Sequence, residues 1–165
     1  MEIDYDYFSP ASTDIALYKK LIKKQGELVC RDQIYVDIIS KSLRQHSFGV
    51  LAKTRQASTG RNSPISDDKW SLLGFATCEP FDDDMDTVIL SLICARKNQK
   101  EMGKDLMGII EDQARQLGYK KIQLFSLPEP HLIRWYERLG YKKGYVIPDY
   151  KTGTNKLVTM TKKIF

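Results

Sequence analysis

The sequence predicts a single α/β domain over residues 1–165. Three observations predict it. Residues 88–94, Val-Ile-Leu-Ser-Leu-Ile-Cys, form an apolar run of strand length, as expected of a central strand covered on both faces. Two later segments, 103–117 and 130–140, repeat apolar residues at helical spacing, and a strand-like stretch, 122–126, lies between them, so helices and strands alternate as in α/β architectures. The length, 165 residues, suits one domain, and a chain of that size can bury enough apolar surface to fold without disulfides or metal.

Ile3, Tyr5 and Tyr7 share one face of an expected first strand over 2–8,. Over 13–24, Leu17, Tyr18, Leu21 and Ile22 fall on one helical face. A further helix is expected over 32–46, where Ile34, Tyr35, Ile38, Ile39 and Leu43 keep helical spacing and Asp32 can cap the start,. Residues 48–54 and 70–79 read as strands, and the Ser-, Gly-, Asn- and Pro-rich stretch from Arg55 to Lys69 reads as a long hairpin loop between them,. An acidic turn, Asp82 to Asp86, leads into the central strand. Leu106, Ile110, Ala114 and Leu117 form the inward face of 103–117, which Gly118 ends,. Pro130 fits a first helical turn, and Leu132, Trp135, Tyr136 and Leu139 line one face up to Gly140,. Residues 141–146 and 156–164 close the fold as strands.

Composition narrows the function. A formal net charge of +5 favours anionic partners, among them nucleic acid and polyphosphate cofactors. The lysines fall in scattered doublets, with no basic stripe interleaved with aromatics and no recognition-helix motif, so nucleic acid fits poorly. No apolar run reaches the ~18 residues of a membrane span, and the acidic start from Met1 to Asp6 is unlike a secretion signal,. The expectation is a cytoplasmic chain without membrane association. Cys30, Cys78 and Cys94 are widely spaced, each in or beside an apolar stretch. They are expected to be free, buried thiols of a reducing compartment. No cysteine pair has metal-ligand spacing and the histidines are only His46 and His131, so no metal site is expected.

The chemistry concentrates after the central strand. There Arg96-Lys97-Asn98-Gln99-Lys100-Glu101-Met102 leads to Gly103, which opens a helix. Free N–H groups at a helix start and its partial positive charge attract phosphate, and Arg96, Lys97, Lys100 and Lys104 add charge around it. A plain strand-to-helix turn with solvated lysines would look the same.

Two blocks together resemble the GNAT acetyltransferases over about Ser71 to Phe165. One is Leu90-Ser91-Leu92-Ile93-Cys94-Ala95 with the loop and Gly103-Lys104-Asp105-Leu106-Met107, similar to the family's acetyl-CoA strand and pyrophosphate loop. The other runs from Ile122-Gln123-Leu124-Phe125-Ser126 to Trp135-Tyr136-Glu137-Arg138-Leu139-Gly140-Tyr141, similar to its signature strand and helix. The resemblance implies a mixed, mostly antiparallel sheet flanked by helices and splayed at the acetyl-CoA strand. It also implies acetyl-CoA as cosubstrate and direct acetyl transfer to a primary amine on a small molecule or a protein, by a monomer or a homodimer.

By the same resemblance Leu92, Ile93, Cys94, Ala95, Asn98, Gln99, Lys100, Met102, Gly103 and Lys104 hold the cofactor. Tyr136 contacts it too, at the CoA sulfur, and assists the leaving thiolate. The family loop usually reads Gln/Arg-x-x-Gly-x-Gly/Ala. Here Asn98 and Glu101 take the first two named places and only Gly103 matches. Either Glu101 turns outward or cofactor binding is weakened. Glu79, Glu129 and Asp86 are carboxylates that could accept the amine proton, as could water. Cys94 has no histidine placed in sequence to activate it as an acyl carrier. The competing function is a non-catalytic CoA-binding or nucleic-acid-binding module on a degenerate GNAT fold.

Overall fold

The computed structural model describes residues 2–9, 15–30, 47–55, 70–148 and 156–165. The expected helix over 32–46 and all of the expected loop beyond Arg55, up to Lys69, lie outside the described residues. The elements run β1 (Asp4–Phe8), α1 (Ile15–Cys30), β2 (Phe48–Arg55), β3 (Trp70–Pro80), β4 (Thr87–Ala95), α2 (Met102–Gln116), β5 (Lys121–Ser126), α3 (Pro130–Arg138), β6 (Lys142–Pro148) and β7 (Lys156–Lys163). The strands form one mixed sheet in the order β1-β2-β3-β4-β5-β7-β6. β1–β2, β2–β3, β5–β7 and β6–β7 pair antiparallel, and β4–β5 pairs parallel through Thr87, Val88 and Ile89. The chain folds as two compact units, Met1–Glu79 with Ser91–Ile110, and Pro80–Leu90 with Glu111–Phe165.

The first unit is built around Phe8, Tyr18, Ile22, Val29, Leu51, Leu72 and Phe75. Tyr18, Ile22 and Val29 continue one helical stripe, which is why α1 extends to Cys30, beyond the expected end at residue 24,. The side chain of Leu17 lies outside the described residues. In β1 the buried residue is Phe8, while Tyr7 is 54% exposed. The expected Ile3/Tyr5/Tyr7 face is therefore not the core face at this end, because alternation places Phe8 on the opposite side. Gln25 locks α1 to β3. Its Nε2 donates to the Trp70 carbonyl (2.9 Å) and its Oε1 accepts from the Leu72 N–H (2.8 Å), so one side-chain amide stands in for a strand partner.

In the second unit, Ile122, Leu124, Val158, Met160 and Ile164 are buried. Both helices that end here stop in the same way. Gly118 (φ 93°) and Gly140 (φ 97°) take the left-handed conformation. The N–H groups of Gly118 and Tyr119 bond to the carbonyls of Arg115 and Ala114, and those of Gly140 and Tyr141 bond to Glu137 and Tyr136. This double closure satisfies the last carbonyls of a helix. Because α2 ends at Gln116, Leu117 lies in the cap and is 57% exposed, contrary to its expected inward place. Lys162 braces the end of α3: its Nζ donates to the Leu139 carbonyl (2.7 Å) and pairs with the buried Glu111 carboxylate (2.9 Å). Among the described residues no helix is long and apolar enough to cross a membrane.

Candidate functional site

β4 changes character along its length. Thr87 to Leu90 are buried, whereas Ser91 is exposed and Leu92 to Ala95 are half-buried. The expectation of a strand buried on both faces holds only for the first half. The apolar run is uniform in sequence, so nothing in it marks the point where cover ends.

In the first unit, the end of β4 is fixed from several directions. The Arg96 N–H donates to the Leu73 carbonyl (2.9 Å), and its side chain turns back onto β3, with Nε to the Leu72 carbonyl (2.7 Å) and a terminal nitrogen to Ser71 Oγ (3.2 Å). Arg96 was expected to add charge around the loop. Its guanidinium is instead spent on β3, which leaves Lys97, Lys100 and Lys104, all exposed. Gly74 makes a close approach possible. A Cβ there would lie 2.8 Å from Met102 Sδ, 2.9 Å from the Cys94 carbonyl oxygen and 3.2 Å from Leu106 Cδ1. The absence of that one atom lets the end of β4 and the first turn of α2 pack on β3.

The loop itself is two linked turns. The Gln99 N–H donates to the Arg96 carbonyl (3.0 Å) and the Met102 N–H to the Gln99 carbonyl (3.3 Å). Met102, buried, starts α2. The Asp105 N–H reaches back to Glu101 (3.1 Å), and the N–H groups of Gly103 and Lys104 take no backbone acceptor among the described residues. Two free donors at a helix start, with three exposed lysines around them, suit a pyrophosphate. Glu101 is exposed. Asn98, Gln99 and Lys100 belong to the same turns, with Asn98 and Lys100 exposed and Gln99 half-buried.

Cys30 and Cys94 form a disulfide, with Cα atoms 5.2 Å apart. This corrects the expectation of three free thiols, and the cysteines therefore give no argument for a reducing compartment. Sequence could not find the pair, because the partners are 64 residues apart and only folding juxtaposes them. Cys78 is free and buried, and burial, with the Glu79 carboxylate nearby, pushes its thiol well above the usual range,.

Glu79, half-buried, is five residues of extended strand beyond Gly74, or about 17 Å from the point where β3 meets the Cys94 carbonyl.

In the second unit, α3 carries Tyr136 and directly follows Glu129. Pro130 occupies the first turn, and Glu129 is the N-cap residue without a side-chain cap bond,. Its carboxylate sits 3.3 Å from His131 Nε2, both exposed. The Tyr136 ring packs edge-on against Trp135 (4.9 Å between centroids) and Tyr141 (6.0 Å). Burial pushes its phenol up to about 12,. Its hydroxyl makes no hydrogen bond among the described residues. The acidic turn is largely self-satisfied. Asp84 accepts from Thr87 Oγ1 (2.6 Å) and from the Asp86 N–H (3.0 Å), which together hold its carboxyl below the usual range, and Lys121 lies 3.7 Å away. Asp86 is exposed, 4.0 Å from the Lys120 amine.

No protein-family model matches the sequence, and no curated protein does. Solved structures match along the whole chain. A protein from Desulfovibrio desulfuricans, assigned as an acetyltransferase of the GNAT family, superposes with TM-score 0.67 at 14% identity, over 99% of this chain and 100% of that one. The ribosomal-protein-S18-alanine N-acetyltransferase of Escherichia coli gives 0.66 at 14%, over 98% and 94%. An aminoglycoside 6'-N-acetyltransferase complexed with coenzyme A gives 0.65 at 15%, over 100% and 98%. The chain has the GNAT acetyltransferase fold.

Within that GNAT fold the predicted residues divide between the two units. Leu92 to Ala95, Asn98 to Lys100, and Met102 to Lys104 belong to the first, with Glu79 on its far strand segment, and Tyr136 and Glu129 share α3 in the second. Two residues that shape the first set escaped sequence reasoning. Gly74 carried a usable signal, a lone glycine inside a strand pattern. Gln25 carried none, since a glutamine on a helix is ordinarily a solvated residue.

Proposed function

We propose that the chain is an acetyltransferase that moves an acetyl group from acetyl-CoA directly to a primary amine on a small molecule or a protein. The observation that carries this reading is the half-exposed end of β4 running through a lysine-bearing double turn into a helix start with two free N–H groups, in a fold shared with acetyltransferases. The residues present fit the cosubstrate. The Gly103 and Lys104 N–H groups would take the pyrophosphate, with Lys97, Lys100 and Lys104 supplying countercharge. Glu101, being exposed, need not face it. The backbone of Leu92 to Ala95 would pair with the pantetheine arm, and N–H groups between Ile93 and Ala95 would polarise the thioester carbonyl.

Acetyl-CoA supplies the acyl group already activated as a thioester. The chain's part is to bind it, strip water from the amine and stabilise the departing sulfur. Tyr136 serves the last task as a hydrogen-bond donor. A phenol near 12 facing a thiol of ordinary pKa ~8.5 makes full proton transfer uphill by about 5 kcal/mol. Donation without transfer suits it better than acid catalysis. The amine proton would pass to water or Glu129, since Glu79 lies too far along β3 to reach it,.

The assay is transfer of labelled acetyl from acetyl-CoA to a panel of primary amines and lysine peptides, run with wild type and Tyr136→Phe. Turnover of one acceptor, reduced in the variant with cofactor affinity kept, is the expected result. Wild-type turnover in the variant would remove Tyr136 from the mechanism.

A further inference from the structure

The Cys30–Cys94 bridge joins two particular places. Cys30 is the last residue of α1. Cys94 is the next-to-last residue of β4, in the half-exposed stretch assigned above to the pantetheine arm. Both cysteines are half-buried and pack against the first unit's core with Leu21 and Leu92, rather than within it. Three other attachments meet at the same point: Arg96 onto β3, the Cys94 carbonyl against Gly74, and α1 onto β3 through Gln25. Of these ties the bridge is the one that ordinary thiol chemistry makes and breaks.

We propose that Cys30 and Cys94 are a thiol–disulfide site whose bridged form holds the end of β4 in the geometry that takes up acetyl-CoA, so that reduction lowers cofactor affinity. The proposal rests on the acetyl-CoA reading above. Its reagents are low-molecular-weight disulfides and thiols. In closing, one cysteine thiolate attacks an external disulfide such as oxidised glutathione, expelling one thiol and leaving a mixed disulfide. The other thiolate then attacks the protein sulfur and expels the second thiol. Two protein S–H bonds give way to one S–S bond, the two protons leave with the two released thiols, and the external disulfide takes the two electrons. A dithiol reverses the sequence. Cys78 stays out of the exchange because it is fully buried,.

The direction follows from ordering. With the bridge closed, the strand end is held before the ligand arrives. With it open, Arg96 still ties that end to β3 but the tie to α1 is gone, so the ligand bears part of the ordering cost and affinity falls. The test is a calorimetric titration of the full chain with acetyl-CoA after equilibration with oxidised glutathione or with dithiothreitol. Thiols are counted by alkylation of the denatured protein and mass measurement. One free thiol in the first sample and three in the second are expected, with Kd at least threefold weaker after reduction. Cys30→Ser, and Cys30→Ala as a second variant, should show the weak value in both conditions. Equal Kd in the two certified states overturns the switch alone. Absence of binding in both overturns the cofactor reading and the switch with it. Three free thiols after oxidation overturn the bridge.

Discussion

Replacing Gly74 by alanine puts a methyl carbon where three atoms already stand, at 2.8 Å (Met102 Sδ), 2.9 Å (Cys94 O) and 3.2 Å (Leu106 Cδ1). The methionine end can swing aside. The Cys94 carbonyl cannot, because the next residues, Ala95 and Arg96, hold the backbone to β3 through the Arg96 N–H and side chain, and Cys94 itself is bridged. Leu106 is fully buried and has little room. Overpacking of this kind costs about 1–3 kcal/mol, and a backbone atom among the clashes places the cost in the upper half, about 2–3 kcal/mol. For a domain of this size that is about 4–12 °C in Tm. Because the displaced atom belongs to the proposed cofactor strand, acetyl-CoA affinity should fall as well. Urea denaturation gives the first quantity and calorimetric titration the second. Gly108→Ala is the internal control. Nothing lies within 4 Å of its added Cβ, and alanine in a helix interior should stabilise by about 0.5–1 kcal/mol. A Gly74→Ala protein as stable as wild type, with unchanged affinity, would refute the close-approach argument.

On the proposed mechanism Tyr136→Phe would remove one hydrogen bond to the departing sulfur, worth about 1.5–3 kcal/mol, so kcat should fall about 10- to 150-fold with acetyl-CoA Kd nearly unchanged in a binding titration. Folding raises the Tyr136 phenol from its ordinary 10 to about 12, so the neutral form is favoured in the native state. That contribution is complete below pH 10 and is lost as pH rises toward 12. Urea midpoints at pH 9, 10 and 11 should decline more steeply for wild type than for Tyr136→Phe. Arg96→Gln strips donors from the Leu72 carbonyl and Ser71 and should cost about 1–2 kcal/mol by denaturation while weakening cofactor binding. Glu111→Gln breaks the pair with Lys162 and should cost about 2–3 kcal/mol in the same assay, since Lys162 is three-quarters covered.

The parts of the fold that read cleanly from sequence are those with one dominant cause. The run from Val88 to Cys94 had to be a central strand, and Gly118 and Gly140 had to stop helices because positive φ was needed there. The turn from β4 into the start of α2 was legible, and so was the departure at Glu101, whose side chain is exposed. Other features depend on distant partners. Arg96 resembles its lysine neighbours in sequence, yet Ser71 and Leu72 capture it. Leu117 keeps the helical period but falls one residue past the end that Gly118 imposes. The cover over β4 stops at Leu90 although the apolar run continues, because cover is supplied by other elements. The Cys30–Cys94 pair follows from where α1 ends against β4, which local pattern does not encode.

The central claim is that this chain takes up acetyl-CoA. The most direct test is the melting temperature with and without excess acetyl-CoA, with desulfo-CoA and ATP alongside. At ~100 times its Kd the ligand should add about 2.7 kcal/mol, or about 5–10 °C. The account predicts that rise with acetyl-CoA and desulfo-CoA and none with ATP. No shift at millimolar acetyl-CoA would contradict it and leave a GNAT fold that serves some other ligand.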